Sequence, residues 1–219
     1  MSTLEDSVEF ANNSQPRCAC VLILDTSGSM AVDDKITKLN AGLQSLREDL
    51  LADDRARRQV ELAIVEFNTS VRVVHDFVTV ENFQPPTLMA SGTTDLVGGV
   101  NQALDLLRRR RKQYDDNDVP CYRPWAFLIT DGEVSEAEAQ TVGGRIREDE
   151  GKKRVAFFVV GVQGANEKSL HRIVSEPKML SGLKFNELFL WLSASLKSVI
   201  ISTPGEMVAL PGAGVWEAV

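Results

Sequence analysis

The sequence predicts an α/β fold with a doubly wound, mostly parallel central sheet, helices on both faces and one antiparallel edge strand. Three observations carry this. Short apolar runs bounded by turn residues alternate with apolar stripes spaced three and four residues apart, the marks of buried strands and amphipathic helices. Several of those runs are continuously apolar, which suits parallel strands covered on both faces. Two of them are separated only by "NTS" (68–70), short enough for a hairpin and hence for one antiparallel pairing.

The elements follow in order. "CVLILD" (20–25) is the first strand and is expected to lie centrally. Ile36, Leu39, Leu43, Leu46 and Leu50 stripe the first helix. "VELAIVEF" (60–67) and "VRVVHDFVTV" (71–80) form the hairpin, and His75 with Asp76 mark its second strand as an edge. Val97, Val100, Leu104 and Leu107 stripe a second helix, and "PWAFLIT" (124–130) is a buried strand. Ser135 and Glu138 have the spacing of a capping box that opens a third helix. "RVAFFVV" (154–160) is the next central strand, followed by a short helix over 168–174 and a last strand near Met179. Leu188, Leu192, Leu196 and Val199 stripe a final helix, in which Phe189 and Trp191 are read as core. The expected organisation is an N-terminal arm (1–17), a domain (18–200) and a Gly- and Pro-rich C-terminal arm (201–219) lying on that domain.

Composition excludes some functions. The 219 residues hold 24 Lys and Arg against 31 Asp and Glu, a net charge of −7. That balance argues against nucleic acid or anionic lipid as the main partner, since both reward surplus positive charge. The run "RRRRK" (108–112) is followed at once by "DDND" (115–118) and reads as a solvated helix end. The start shows no signal-peptide pattern, and no apolar run approaches the roughly 18 residues of a membrane span. Three cysteines are too few and odd in number for a disulfide framework. Cys18 and Cys20 are expected on opposite faces of their strand, which argues against a shared zinc ion, and Cys121 near one of them, as a reduced thiol. The chain is expected to be soluble and cytoplasmic.

The chemistry gathers in the turn that ends the first strand. "LILDTSGSM" (22–30) runs from four apolar residues into an acid and two hydroxyls. In open α/β sheets ligands bind at the carboxyl ends of strands, where strand order reverses, and Asp25 and Asp131 both sit just past a strand's last apolar residue. An aspartic protease would need Gly directly after Thr26. An aspartyl phosphatase usually has a second Asp where Ser27 stands, to act as general acid. Neither G-x-x-x-x-G-K-[ST] nor G-x-S-x-G occurs, and His75 and His171 lie far from the turn in sequence. A metal reading fits better. Asp25, Ser27 and Ser29 are hard oxygen donors suited to Mg²⁺ or Mn²⁺. "SGTTDL" (91–96) adds Thr93 and Thr94, and "LITDGE" (128–133) adds Asp131, with Glu133 at the rim or at a helix start. The competing reading makes Ser27, Ser29 and Asp131 simple helix caps.

These motifs carry a resemblance. "DTSGSM" resembles the D-x-S-x-S loop of von Willebrand factor A domains, the first part of their metal-ion-dependent adhesion site. "SGTTDLVGGV" is similar to the family's second element, which implies Thr94 as ligand with Thr93 standing where the family prefers Gly. Thr130, Asp131 and Gly132 match the third, T-D-G. The resemblance implies a Rossmann-like fold, a metal site of Asp25, Ser27, Ser29, Thr94 and Asp131, and a protein-binding module rather than an enzyme. Its partner would present an acidic residue to the metal. The flanks, "VEFANNSQPRC" (8–18) and "FNELFLWLSASL…STPGEMVALP" (185–211), look like those of stand-alone bacterial proteins of the tellurite-resistance TerY type. That subgroup implies a stress-response or signalling setting with a protein kinase and a PP2C-like phosphatase as partners. The alternative is a metal-dependent phosphate-ester hydrolase using the same acids, although no nucleophile with its activating base is evident.

Overall fold

A computed structural model of the chain describes residues 10, 13–132 and 134–218. Six strands form one sheet: β1 (Cys18–Asp25), β2 (Val60–Phe67), β3 (Val71–Thr79), β4 (Trp125–Thr130), β5 (Ala156–Gly161) and β6 (Lys178–Met179). Their order is β3-β2-β1-β4-β5-β6. All pairings are parallel except β2 with β3. β1 is therefore interior and β3 an edge, as the sequence predicts. Strand order reverses between β1 and β4, so the crevice of a doubly wound sheet opens at their carboxyl ends.

The helices are α1 (Lys35–Leu51), α2 (Ala56–Gln59), α3 (Leu96–Asp116), α4 (Glu136–Gly151), α5 (Glu167–Ile173) and α6 (Phe185–Ile201). Two apolar layers cover the sheet. Leu22 and Leu24 of β1 join α1 and α6 residues such as Leu43, Leu46, Leu188 and Leu192 on one face. Val21 and Ile23 join Val100, Leu104, Ile146 and Leu170 of α3, α4 and α5 on the other. All eight residues of β1 are buried, which explains why its sequence shows no alternation. Ser135 and Glu138 form the expected capping box at α4. The four-residue α2 was not expected, because one turn is too short to show a periodicity.

Two expectations are corrected. Cys18 and Cys20 lie in the same core layer, with Ala19 in the other, because the two-residue period of a strand puts i and i+2 on one face. The basic run is not simply a solvated helix end either. α3 continues to Asp116, and within the run Arg108, Arg109 and Lys112 are exposed while Arg110 is buried. The Arg110 Nε donates to the buried Glu61 Oε2 at 2.7 Å, and the Arg17 Nε donates to Oε1 at 2.9 Å. Tyr114 adds a third donor to Glu61. Phe10 packs edge-on to Tyr114 at 5.7 Å, with the Arg110 guanidinium 4.9 Å above its ring.

On the other side of the sheet, Phe189 is fully buried. Trp191 is half-buried, and its Nε1 donates to the Pro211 carbonyl at 2.8 Å. Residues beyond α6 return along the β6 edge: the Ser181 N–H donates to the Trp216 carbonyl and the Ala218 N–H to that of Met179, each at 2.8 Å. Most of residues 1–17, and Glu133, lie outside the described residues.

Burial, then the nearby Glu61 carboxylate, pushes the Cys18 thiol up to about 12, and burial pushes Cys20 well above its ordinary value. A thiol held neutral and shielded is a poor nucleophile. With an alkylating reagent at mildly alkaline pH, Cys18 and Cys20 are therefore expected to stay unmodified in the folded chain, and all three cysteines to react after denaturation. Peptide mass spectrometry reads the difference, and rapid native labelling of Cys18 or Cys20 would contradict it.

Candidate metal centre

Three loops meet at the carboxyl ends of β1 and β4. The first leaves β1 at Asp25 and enters a short 3-10 helix, Gly28–Asp34. Its backbone is clasped to the second loop, with the Ser91 N–H donating to the Thr26 carbonyl at 2.8 Å and the Gly28 N–H to that of Gly92 at 2.9 Å. Gly92 adopts a φ of 74°, and a Cβ there would come within 2.2 Å of the Thr69 hydroxyl. Only glycine satisfies both demands. Asn68, at the β2–β3 turn, ties the same pair together: its side-chain amide donates to the Thr26 hydroxyl at 3.2 Å and its backbone carbonyl accepts from the Asp95 N–H at 2.8 Å. Asp95 in turn caps α3 through the Gly98 N–H at 2.8 Å.

The side chains form a connected set. Asp25 is fully buried; its Oδ1 accepts from the Ser27 N–H at 2.9 Å and its Oδ2 from the Thr130 hydroxyl at 2.6 Å. The hydroxyls of Ser27 and Ser29 lie 3.0 Å apart, and Ser29 donates to Asp131 Oδ1 at 2.6 Å. Asp131 Oδ2 accepts from the Lys35 ammonium at 2.6 Å. Thr94 reaches the same place: a Cβ on Gly132 would meet Asp25 Oδ2 and the Thr94 methyl, each at 3.2 Å. That crowding explains the glycine after Asp131. Thr93 is exposed and held aside, its N–H donating to the Thr69 hydroxyl at 2.9 Å.

The capping alternative does not hold. Ser27 makes no side-chain capping bond to the helix that follows, and α4 is capped by Ser135, not Asp131. Burial raises the pKa of Asp25, against the opposing pull of hydrogen bonds from Ser27 and Thr130, with Asp131 adding to the rise. A carboxylate so placed gains from a cation beside it. Among the described residues no group of three or more His, Cys, Asp or Glu gathers as a metal site, so any ion held here draws on hydroxyls. Such an all-oxygen set, with two carboxylates, fits Mg²⁺ or Mn²⁺. The histidines lie elsewhere: His75 packs against Phe83 at 5.1 Å, and His171 contacts the Ser175 carbonyl at 3.1 Å.

The structure thus brings Asp25, Ser27, Ser29, Thr94 and Asp131 together and leaves Thr93 outside. Sequence reasoning assigned no role to Thr130, Asn68 or Lys35. Thr130 stood inside the T-D-G motif, whereas Lys35 looks like any first-turn lysine.

A doubly wound α/β domain with an oxygen-donor cluster at its topological switch point defines the class. The chain belongs to the von Willebrand factor type A domain family, whose model matches residues 20–188. Domains of this family often mediate metal-dependent protein interactions. Among solved structures, a von Willebrand factor type A protein from Catenulispora acidiphila is 18% identical with a TM-score of 0.64, over 84% of this chain and 43% of that one. The PilB minor pilin from Streptococcus sanguinis is 15% identical (TM-score 0.63; 87% and 64% covered). The pilus adhesin SpaC from Lactobacillus rhamnosus GG is 13% identical (TM-score 0.61; 86% and 31% covered). At these identities the likeness is one of fold, and the chain spans less than two thirds of each of these proteins. No curated protein matches it in sequence. Among the described residues no helix is long and apolar enough to cross a membrane.

Proposed function

We propose that the chain is a Mg²⁺- or Mn²⁺-dependent protein-binding module and not an enzyme. The observation that carries this is the hydrogen-bonded set Asp25–Thr130 and Ser27–Ser29–Asp131, linked through the Ser27 N–H on Asp25, which gathers two buried carboxylates and two serine hydroxyls next to the Thr94 side chain. Asp25 and Asp131 would supply charge to the ion, and Ser27, Ser29 and Thr94 neutral donors. Mg²⁺ tends to keep some of its waters in protein sites. A bound divalent ion would supply an exchangeable coordination position, for which an Asp or Glu of a partner is the natural occupant. In a partly desolvated cleft its Coulomb attraction to the ion is weakly screened. The neutral hydroxyls matter, because further acids would weaken that attraction.

The resemblance of the flanks to the TerY type supports a finer placing: the cytoplasm, a bacterial stress or signalling system with tellurite resistance as one setting, and a protein kinase and a PP2C-like phosphatase as partners. The contacts of residues 216–218 with the β6 edge support reading 201–219 as a C-terminal arm packed on a domain of 18–200, with 1–17 as an N-terminal arm.

Affinity capture from the native cell, with Mg²⁺ and with EDTA, tests the reading. A partner retained with Mg²⁺, released by EDTA and not captured by Asp25→Ala is the expected result. Turnover of an aryl phosphate with Mg²⁺ or Mn²⁺, abolished by Asp25→Ala, would replace the binding module with a hydrolase.

A further inference from the structure

Lys35 is a buried cation at a site built of acids. It is the first residue of α1 and 6% exposed. The two residues before it, Asp33 and Asp34, both take left-handed backbone angles, with φ of 54° and 61°. Asp tolerates that region better than most residues, and the double turn swings the chain out of the 3-10 helix so that Lys35 faces the loops. Its ammonium donates to Asp131 Oδ2 at 2.6 Å, in an ion pair with little exposure on either side. Asp131 thus spends one oxygen on Ser29 and the other on Lys35.

The charge count of the site changes accordingly. Asp25 and Asp131 bring two negative charges, and Lys35 returns one positive. A divalent ion held by the proposed ligands would share Asp131 with this ammonium, and the loaded site would carry one net positive charge. We propose that Lys35 sets the charge of the site, weakening its hold on metal alone and leaving a surplus that an incoming carboxylate neutralises. This inference rests on the metal-site reading and deepens it by naming how metal and partner become interdependent. Two like charges a few ångströms apart in a partly buried cleft repel strongly enough to cost about tenfold or more in affinity. If Lys35 served only to orient Asp131, removing it would loosen metal instead, so the two roles differ in sign.

Mn²⁺ binding, read from the EPR signal of the free ion, tests this with the wild type, Lys35→Met, Lys35→Arg and Asp25→Ala. Lys35→Met is expected to bind Mn²⁺ about tenfold or more tighter, and Lys35→Arg, which keeps the charge, to stay within about threefold of wild type. Replacing chloride by acetate at constant ionic strength should tighten Mn²⁺ on the wild type, after allowance for acetate's own binding of Mn²⁺, and do so less on Lys35→Met. Unchanged or weaker binding by a folded Lys35→Met overturns the inference while leaving the metal site standing. Should Lys35→Met not fold, the wild-type acetate series decides, and no tightening overturns the inference. A wild type that binds no Mn²⁺, or an Asp25→Ala variant that binds it as well, overturns both the inference and the metal-site reading.

Discussion

Asp25→Asn is expected to abolish the response to Mg²⁺ while leaving the metal-free chain at least as stable as wild type near neutral pH. Burial raises the pKa of Asp25, so the folded chain holds that proton more tightly than the unfolded chain does. The sign follows from linkage: the stability this group contributes is present below its unfolded pKa and is lost as pH rises through the raised folded value. Above that range the charged carboxylate is therefore a burden on the metal-free fold, which a bound cation would relieve. An asparagine keeps the shape and an acceptor for the Ser27 N–H, can turn its amide NH2 to the Thr130 hydroxyl as donor, and removes the charge. Thermal melts with and without Mg²⁺ read both effects. A marked gain for wild type, no gain for Asp25→Asn and an equal or higher metal-free midpoint for the variant are the expected pattern. Thr94→Ala should reduce the gain and Thr93→Ala should not, since the Thr94 side chain and Asp25 both border Gly132 while Thr93 donates to Thr69. A variant that melts far below wild type, or one that keeps the full response, would contradict the account.

The largest loss of stability is expected at the opposite end of the sheet, from Glu61→Ala. Glu61 sits in β2 at 0% exposure and takes donors from Arg17, Arg110 and Tyr114. Arg17 in turn donates to the carbonyls of Gln15 at 2.9 Å and Asn13 at 2.6 Å, so the cluster also fixes the chain leading into β1. Removing the carboxylate takes a buried counter-charge away from Arg17 and Arg110, and breaking a buried pair this way costs about 3–5 kcal/mol. Glu61→Gln, which keeps shape and one acceptor, should recover only part of that loss. Urea unfolding at neutral pH measures both. A change below about 1 kcal/mol for Glu61→Ala, the scale of an exposed ion pair, would show that the cluster is solvated in solution.

These two sites show what a sequence makes legible. Local periodicity reveals local structure, so the strands, the five longer helices, the hairpin and the capping box could be read directly. The site loops were equally readable, because an acid and hydroxyls at a strand's end have no place in a buried strand unless they bind something. Glu61 was hidden in "VELAIVEF", since its partners Arg17 and Arg110 are 44 and 49 residues away. Arg110 was hidden in a basic run for the same reason. Lys35 meets Asp131 across 96 residues. Charge pairing across such distances leaves no periodic trace: the β1–β2 pairing brings Arg17 to Glu61, and the β1–β4 pairing brings Lys35 and Asp131 together. The misplacement of Cys18 and Cys20 was of another kind. Strand geometry already puts residues two apart on one face.

Calorimetric titration of Mg²⁺ into chelator-stripped wild-type protein tests the central claim most directly. The account predicts one ion bound per chain, with the binding lost in Asp25→Asn and in Asp131→Asn while both variants remain folded. No binding by the wild type at millimolar Mg²⁺, or binding that survives both substitutions, would contradict it.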